Sequence, residues 1–409
     1  MPEFPKGSGR IRRLRRLCML AFSSLHAPID WLALLGVGRT QSNAVLLVRL
    51  DAIGDFVLWL RSARQLRRHF QGRKIVLLAN SAWADLAREL PYWDEVWAVS
   101  VKQLDLPGPY RWRLWRRLRG AGFAVAVQPT LSRVFSRGDA AIWASAAPQR
   151  IGSAGTLNNS FAAQLRWASR WYTRLVPVHW DAVSSLNGVE SERHEFGYND
   201  DFVAALTGSV SPELAPELLS IPDSCAKNLR PDAPYFLVSP GVGWTGKQWP
   251  GERFATIINR LVDERGWRAV LCGAQSESAV SSAVARICSR PPINLTGKTT
   301  LFELVELIQG ACLVLGNDSA PVHLAAAIGI PSISILGGGH FGRFLPYPPG
   351  RSPRAPEVVF APMECYHCNW QCTQPHDSTG PVPCISAVSV ETVLAAITRT
   401  LNTVVSGGA

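Results

Sequence analysis

The chain has 409 residues, 47% of them hydrophobic and 18% charged, which excludes a disordered chain and is enough for two cores of ordinary domain size. Its formal net charge is +11, and residues 1–150 hold 24 Lys and Arg against 10 Asp and Glu, so the basic surface belongs to the first part. Such asymmetry points there to an anionic partner: nucleic acid, a membrane surface or a phosphorylated substrate.

Residues 1–40 open with the basic run GRIRRLRRL and continue into an apolar stretch broken by His26, Pro28 and Asp30. The breaks exclude a spanning helix, and no small-residue cleavage site follows. The segment reads as a basic amphipathic piece lying on the inner face of a membrane, or as a packed N-terminal helix. From residue 45, β-rich apolar runs at 45–50, 74–79, 95–100 and 123–129 alternate with helical spacing, the pattern of a parallel sheet covered on both faces. A second series at 235–240, 267–273, 311–316, 332–338 and 357–362 follows the Pro- and Ser-rich stretch 207–234, read as a linker. The expected architecture is α/β, with two doubly wound Rossmann-like domains facing across a cleft, at 41–206 and 235–362. A cysteine-rich insertion at 363–386 and a C-terminal helical stretch at 387–409, free to cross back to the first domain, complete it.

Chemistry is expected beyond the carboxyl ends of the strands. The first such place is Asp51-Ala52-Ile53-Gly54-Asp55, where a buried strand ends and a helix is expected to start at Asp55. Gly54 supplies a tight turn, and Asp55 is either a cleft-facing carboxylate or the helix cap. The second is VSPGVGWTGKQWPGERF, residues 238–254, a strand followed by a glycine-containing loop with Gly241 and Lys247 suited to a diphosphate. The third is LVLGNDSAPVHLAAAIGIP, residues 313–331, in which Asp318 and Ser319 precede a small-residue helix and Ser319 and His323, four apart, share a face. Another glycine-rich loop follows at SILGGGHFGRF, residues 334–344.

The RLDAIGD turn, the SPG-to-KQWP loop and GNDSAPVHLAAAIGIPSI together resemble glycosyltransferase family 9, the bacterial heptosyltransferase group with the two-domain GT-B fold. The resemblance implies inverting transfer of a sugar, typically heptose from an ADP-linked donor, onto a growing lipopolysaccharide core. It implies that Asp55 is the general base for the acceptor hydroxyl, that Lys247 contacts the donor diphosphate, and that Asp318, Ser319 and His323 line the donor site with Gly241. Asp51 is read as a brace of the turn. Where the family's donor loop often carries hydroxyl residues this chain has Val242 and Gly243, which leaves the donor sugar and nucleotide open. The implied acceptor is an anionic glycolipid or glycan held by the basic first domain, with arginines such as Arg113, Arg116 and Arg117 on offer to its phosphates and carboxylates. The implied place of work is cytoplasmic, peripheral at the inner face of the inner membrane.

Outside the common family pattern, Cys365, Cys368, Cys372 and Cys384 gather four of the nine cysteines within twenty residues. Such clustering suits a structural zinc, with iron as the alternative, and His367 and His376 are spare ligands. Four protein ligands leave no open position, so no catalytic metal is expected. The cluster also admits two rivals: a protein heptosyltransferase, since autotransporter-modifying relatives carry a cysteine-bound metal, and a basic zinc-containing nucleic-acid-binding protein. Residues 362–386 contain no Lys or Arg, so a nucleic-acid partner is not expected.

Overall fold

The computed structural model describes residues 28–179, 184–186, 189–209, 229–352 and 354–406. The basic N-terminal run and most of the expected linker lie outside the described residues. The chain divides into two units, Met1–His179 with Phe196–Ser211, and Trp180–Glu195 with Pro212–Ala409.

In the first unit, branched apolar runs become the strands β1 (Val45–Arg49), β2 (Ile75–Asn80), β3 (Glu95–Val99) and β4 (Val125–Gln128), joined by β5 (Gln149–Ser153) and β6 (Arg174–Val176). All pair in parallel in the order β3-β2-β1-β4-β5-β6. Every residue of β1 is buried, as expected for a central strand covered on both faces. Helix α1 (Ile53–His69) follows β1, and helix α2 (Pro109–Gly120) precedes β4. In the stretch between these two helices, Trp83 receives Phe56 of α1, stacked on it at 4.1 Å.

In the second unit a short antiparallel hairpin, β7 (Ser184–Leu186) and β8 (Val189–Ser191), precedes the main sheet. That sheet comprises β9 (Tyr235–Ser239), β10 (Arg268–Leu271), β11 (Ile293–Asn294), β12 (Leu313–Asn317), β13 (Ser332–Ile335) and β14 (Glu357–Val359). Its order, β11-β10-β9-β12-β13-β14, repeats the first sheet's, so each unit is the doubly wound, Rossmann-like α/β structure expected from the sequence. In both, the strand order reverses beside the first strand of the sheet, and the loops after that strand and after the sheet's fourth flank the switch point, where such sheets bind ligands.

Helix α3 (Gly251–Arg265) follows β9, and helix α4 (Ala320–Ile328) follows β12. The last helix, α5 (Val390–Ser406), buries Val393, Ala396, Ile397 and Leu401 in the core of the second unit and packs on β13, β14 and α3. Its apolar stripe is used by the second sheet.

Candidate active site

The turn after β1 is built around an arginine. Arg49 is fully buried, its Nε lies 2.8 Å from the Asp51 carboxylate, its Nη2 donates to the Asp55 carbonyl at 3.2 Å, and its guanidinium sits 5.4 Å from the Trp59 ring. A buried cation so placed ties the strand end to the first turn of α1. Asp51 is the brace expected of it: Thr130 Oγ1 donates to its carboxylate at 3.3 Å, while Asn80 Nδ2 and Trp83 Nε1 both donate to its carbonyl at 2.9 Å.

Two local expectations are corrected. Helix α1 begins at Ile53 behind an extended Ala52, not at Asp55, so Asp55 is a first-turn residue and not the cap. Gly54 is the second helical residue and makes no tight turn; the chain bends at Asp51-Ala52, where the bonds to Arg49, Asn80 and Trp83 hold it. Asp55 is half-buried, and a carboxylate in the first turn is favoured by the helix dipole.

Much of the basic face expected for an acceptor serves the fold. Arg111 is buried and clamps the Asp30 carboxylate through three contacts of 2.6–3.0 Å. Arg67 pairs with Asp94 at 2.8 Å, and Arg117 lies 3.6 Å from the Trp97 ring centroid. Arg113, Arg116 and Arg117 are exposed, and Arg116 donates to Ala33 O at 3.0 Å. Beside it, residues 28–35 leave Ile29, Trp31, Leu32 and Leu35 exposed.

In the second unit the structure brings Lys247, Asp318 and His323 together. Lys247 Nζ lies 3.6 Å from Asp318 Oδ2, and His323 Nε2 lies 3.6 Å from Asp318 Oδ1. Burial pushes the Asp318 carboxyl toward its neutral form, but Lys247 and then His323 outweigh it, so its pKa falls well below the usual carboxylate range. His323 is buried, and its Nδ1 meets the Tyr347 hydroxyl at 2.8 Å. It therefore supports the site from within. Ser319 is the residue before α4, in extended conformation, and its Oγ is buried with no hydrogen-bond partner among the described residues. Such an atom is costly to bury unless something accepts from it or donates to it. Gly241 packs against Glu277 so closely that a Cβ would run into that side chain.

Sequence reasoning missed the residue that joins these loops. Asn317, fully buried at the end of β12, accepts from the Trp249 N–H at 3.0 Å and donates to Pro240 O at 3.0 Å. It thereby fixes the Gly241–Lys247 loop to the Asp318 turn. Its signal was an amide closing an otherwise apolar strand. Arg49 was legible in the same way, as the charge in the run VLLVRL.

Cys365, Cys368, Cys372 and Cys384 line one small cavity, with Tyr366, Trp370 and Val382. None of the seven described cysteines forms a disulfide. The donor set, four soft thiols around one cavity, fits zinc or iron in kind. Among the described residues, no three His, Cys, Asp or Glu side chains stand close enough together to hold a metal as placed.

The profile of glycosyltransferase family 9 (heptosyltransferase) matches residues 149–368. Lipopolysaccharide heptosyltransferase 3 of Escherichia coli is 36% identical over 176 residues, 41% of this chain and 47% of the relative, so the chain spans about half the length of that curated relative. Among solved structures, E. coli ADP-heptose lps heptosyltransferase II aligns with a TM-score of 0.64 at 19% identity, over 88% of this chain and 99% of its own. The iron-containing dodecameric glycosyltransferase TibC of enterotoxigenic E. coli aligns at 0.50 with 15% identity, over 90% and 78%. These solved structures share the fold. With more than half of its length inside the family profile, the chain belongs to glycosyltransferase family 9, the heptosyltransferase family.

Proposed function

We propose that the chain is an inverting glycosyltransferase that moves a sugar, heptose from ADP-heptose, onto a lipopolysaccharide core or related glycan. The observation that carries this reading is the cluster at the second sheet's switch point, where Lys247, Asp318 and the unpartnered Ser319 Oγ stand before the N-terminus of α4. A lysine, a free hydroxyl and helix amides suit a diphosphate.

In the reaction, the acceptor hydroxyl attacks the anomeric carbon while its proton passes to the Asp55 carboxylate. The bond from that carbon to the diphosphate breaks, its electron pair leaves with the phosphate oxygen, and Lys247 meets the growing charge. Attack opposite the leaving group inverts the anomeric centre. Gly241 lets the backbone approach the donor, and Asp318 and His323 hold Lys247 and the turn in register.

The four thiols are assigned to a structural metal, zinc first and iron second, whose role when bound is to cross-link the loop. Elemental analysis of the purified chain tests this, and a chain free of both metals sinks it. The same thiols admit a second reading, in which the acceptor is a protein; TibC, which shares the fold, is an iron-containing glycosyltransferase. The place of action is the cytoplasmic face of the inner membrane, reached by peripheral contact; no helix of the described residues is long and apolar enough to cross a membrane.

The experiment is a nucleotide-sugar panel with the Asp55→Asn variant. ADP-heptose is expected to be turned over by the parent, and Asp55→Asn to lose at least about 100-fold in kcat with donor affinity kept. A variant retaining most of its activity removes Asp55 from the mechanism, and a parent indifferent to every ADP-linked donor removes the donor assignment.

A further inference from the structure

The cysteine-rich stretch and the donor loops of the second unit are bonded into one structure. The His367 and Asn369 N–H groups donate to the carbonyls of Gly338 at 2.8 Å and Gly339 at 3.0 Å, and the Val382 N–H donates to Gly246 O at 2.9 Å. The stretch thus grips both the glycine loop after β13 and the turn that carries Lys247. His367, Asn369 and Trp370 hold positive φ angles of 66°, 47° and 57°, a region that non-glycine residues seldom adopt. The bend lays the Trp370 indole in the hollow over Gly337 and Gly339, where an added Cβ would collide with the ring. Its Nε1 donates to His340 Nδ1 at 3.3 Å, and Trp244 meets it edge-on at 5.7 Å.

Lys247 lies on this indole, its Nζ 4.3 Å from the ring centroid. The two neighbours of Nζ act differently. Asp318 holds the ammonium by offsetting its charge, whereas an aromatic face holds it through the ring quadrupole and leaves the full positive charge for an incoming anion. We infer that Trp370 is a positioning residue of the donor site: it fixes Lys247 for the diphosphate, and because the thiol-lined loop fixes Trp370, the state of the four thiols is coupled to nucleoside-diphosphate affinity. This rests on the donor-site reading above and adds the residue and the loop that regulate it.

The test is ADP affinity by isothermal titration calorimetry on the full chain and on Trp370→Phe and Trp370→Leu. Each is measured after loading with zinc under reducing conditions and again after stripping with a chelator, with metal content read by elemental analysis. Trp370→Phe keeps an aromatic face and is expected within about threefold of the parent, while Trp370→Leu binds about 2- to 30-fold more weakly. Stripping weakens the parent by a similar factor and Trp370→Leu little further, because both changes act through one indole. In turnover, the leucine variant raises the donor KM more than it lowers kcat. A leucine variant that matches the parent's ADP affinity overturns the role of Trp370, and a parent unchanged by stripping overturns the coupling. If the leucine variant fails to melt cooperatively, the stripping arm on the parent decides. A zinc-loaded parent that binds no ADP overturns the donor-site reading itself.

Discussion

Arg49 does in the first unit what a loop residue cannot: it carries a charge into a fully buried strand end and spends it on the turn that presents Asp55. Removing one member of a buried pair leaves the other uncompensated and costs about 3–5 kcal/mol. Arg49→Met is therefore expected to lower thermal stability and to cut kcat at least about tenfold, while ADP affinity, assigned by the proposed donor site to the second unit, stays within twofold; a matching loss of ADP affinity counts against this division of labour. His194 offers a pH probe. Burial pushes it down to about 3, and its Nε2 meets Phe344 O at 2.9 Å. Its folded pKa lies below the unfolded value of about 6.5, so between these values the unfolded chain binds the extra proton and stability falls as pH falls. Each pH unit in that window costs up to about 1.4 kcal/mol, so the parent should lose up to about 2 kcal/mol more than His194→Gln between pH 6.5 and 5 in denaturant melts. Parallel pH curves refute the assignment.

Among the elements, central strands were readable because a strand buried on both faces must be a branched apolar run, as in VLLVR and YFLVS. The edge strands EVWAV and EVV were read as well, but QRIGS, RLV and IN were not: they lack such runs, and pairing with a neighbour decides them. The start of α1 was misplaced because Asp-Ala-Ile-Gly-Asp offers two acidic caps, and the chain uses neither. The site was legible as far as its polar residues followed strand ends; Trp370 was not, since nothing in CNWQC says where an indole will lie. Asn317 shows how one strand end organises two loops. Asn317→Ala leaves the Trp249 N–H and the Pro240 carbonyl unmatched in the core, which costs about 1–3 kcal/mol for each. Calorimetric melting should therefore shift down by several degrees, with weaker ADP binding; a variant with unchanged melting and ADP affinity would show that the loops are fixed elsewhere.

For the whole molecule, charge and exposed apolar surface coincide in the first unit. Ile29, Trp31, Leu32 and Leu35 are exposed beside Arg116, in the part of the sequence with the large excess of Lys and Arg. Basic charge brings a protein to an anionic bilayer and apolar side chains insert into its surface. The chain is expected to sediment with vesicles containing phosphatidylglycerol and not with phosphatidylcholine alone, to be released by about 0.5 M salt, and to bind more weakly as Trp31→Ser/Leu32→Ser. Equal binding to both vesicles refutes peripheral anionic contact.

The glycines under the indole carry a consequence for descent. A side chain at Gly338 would strike Tyr366, and one at Gly337 or Gly339 would strike Trp370. A lineage that keeps the cysteine loop cannot vary these glycines, whereas one that discards the loop is released from them and can fill the hollow with bulk of its own. Loop and glycines should be inherited, and lost, as a single block.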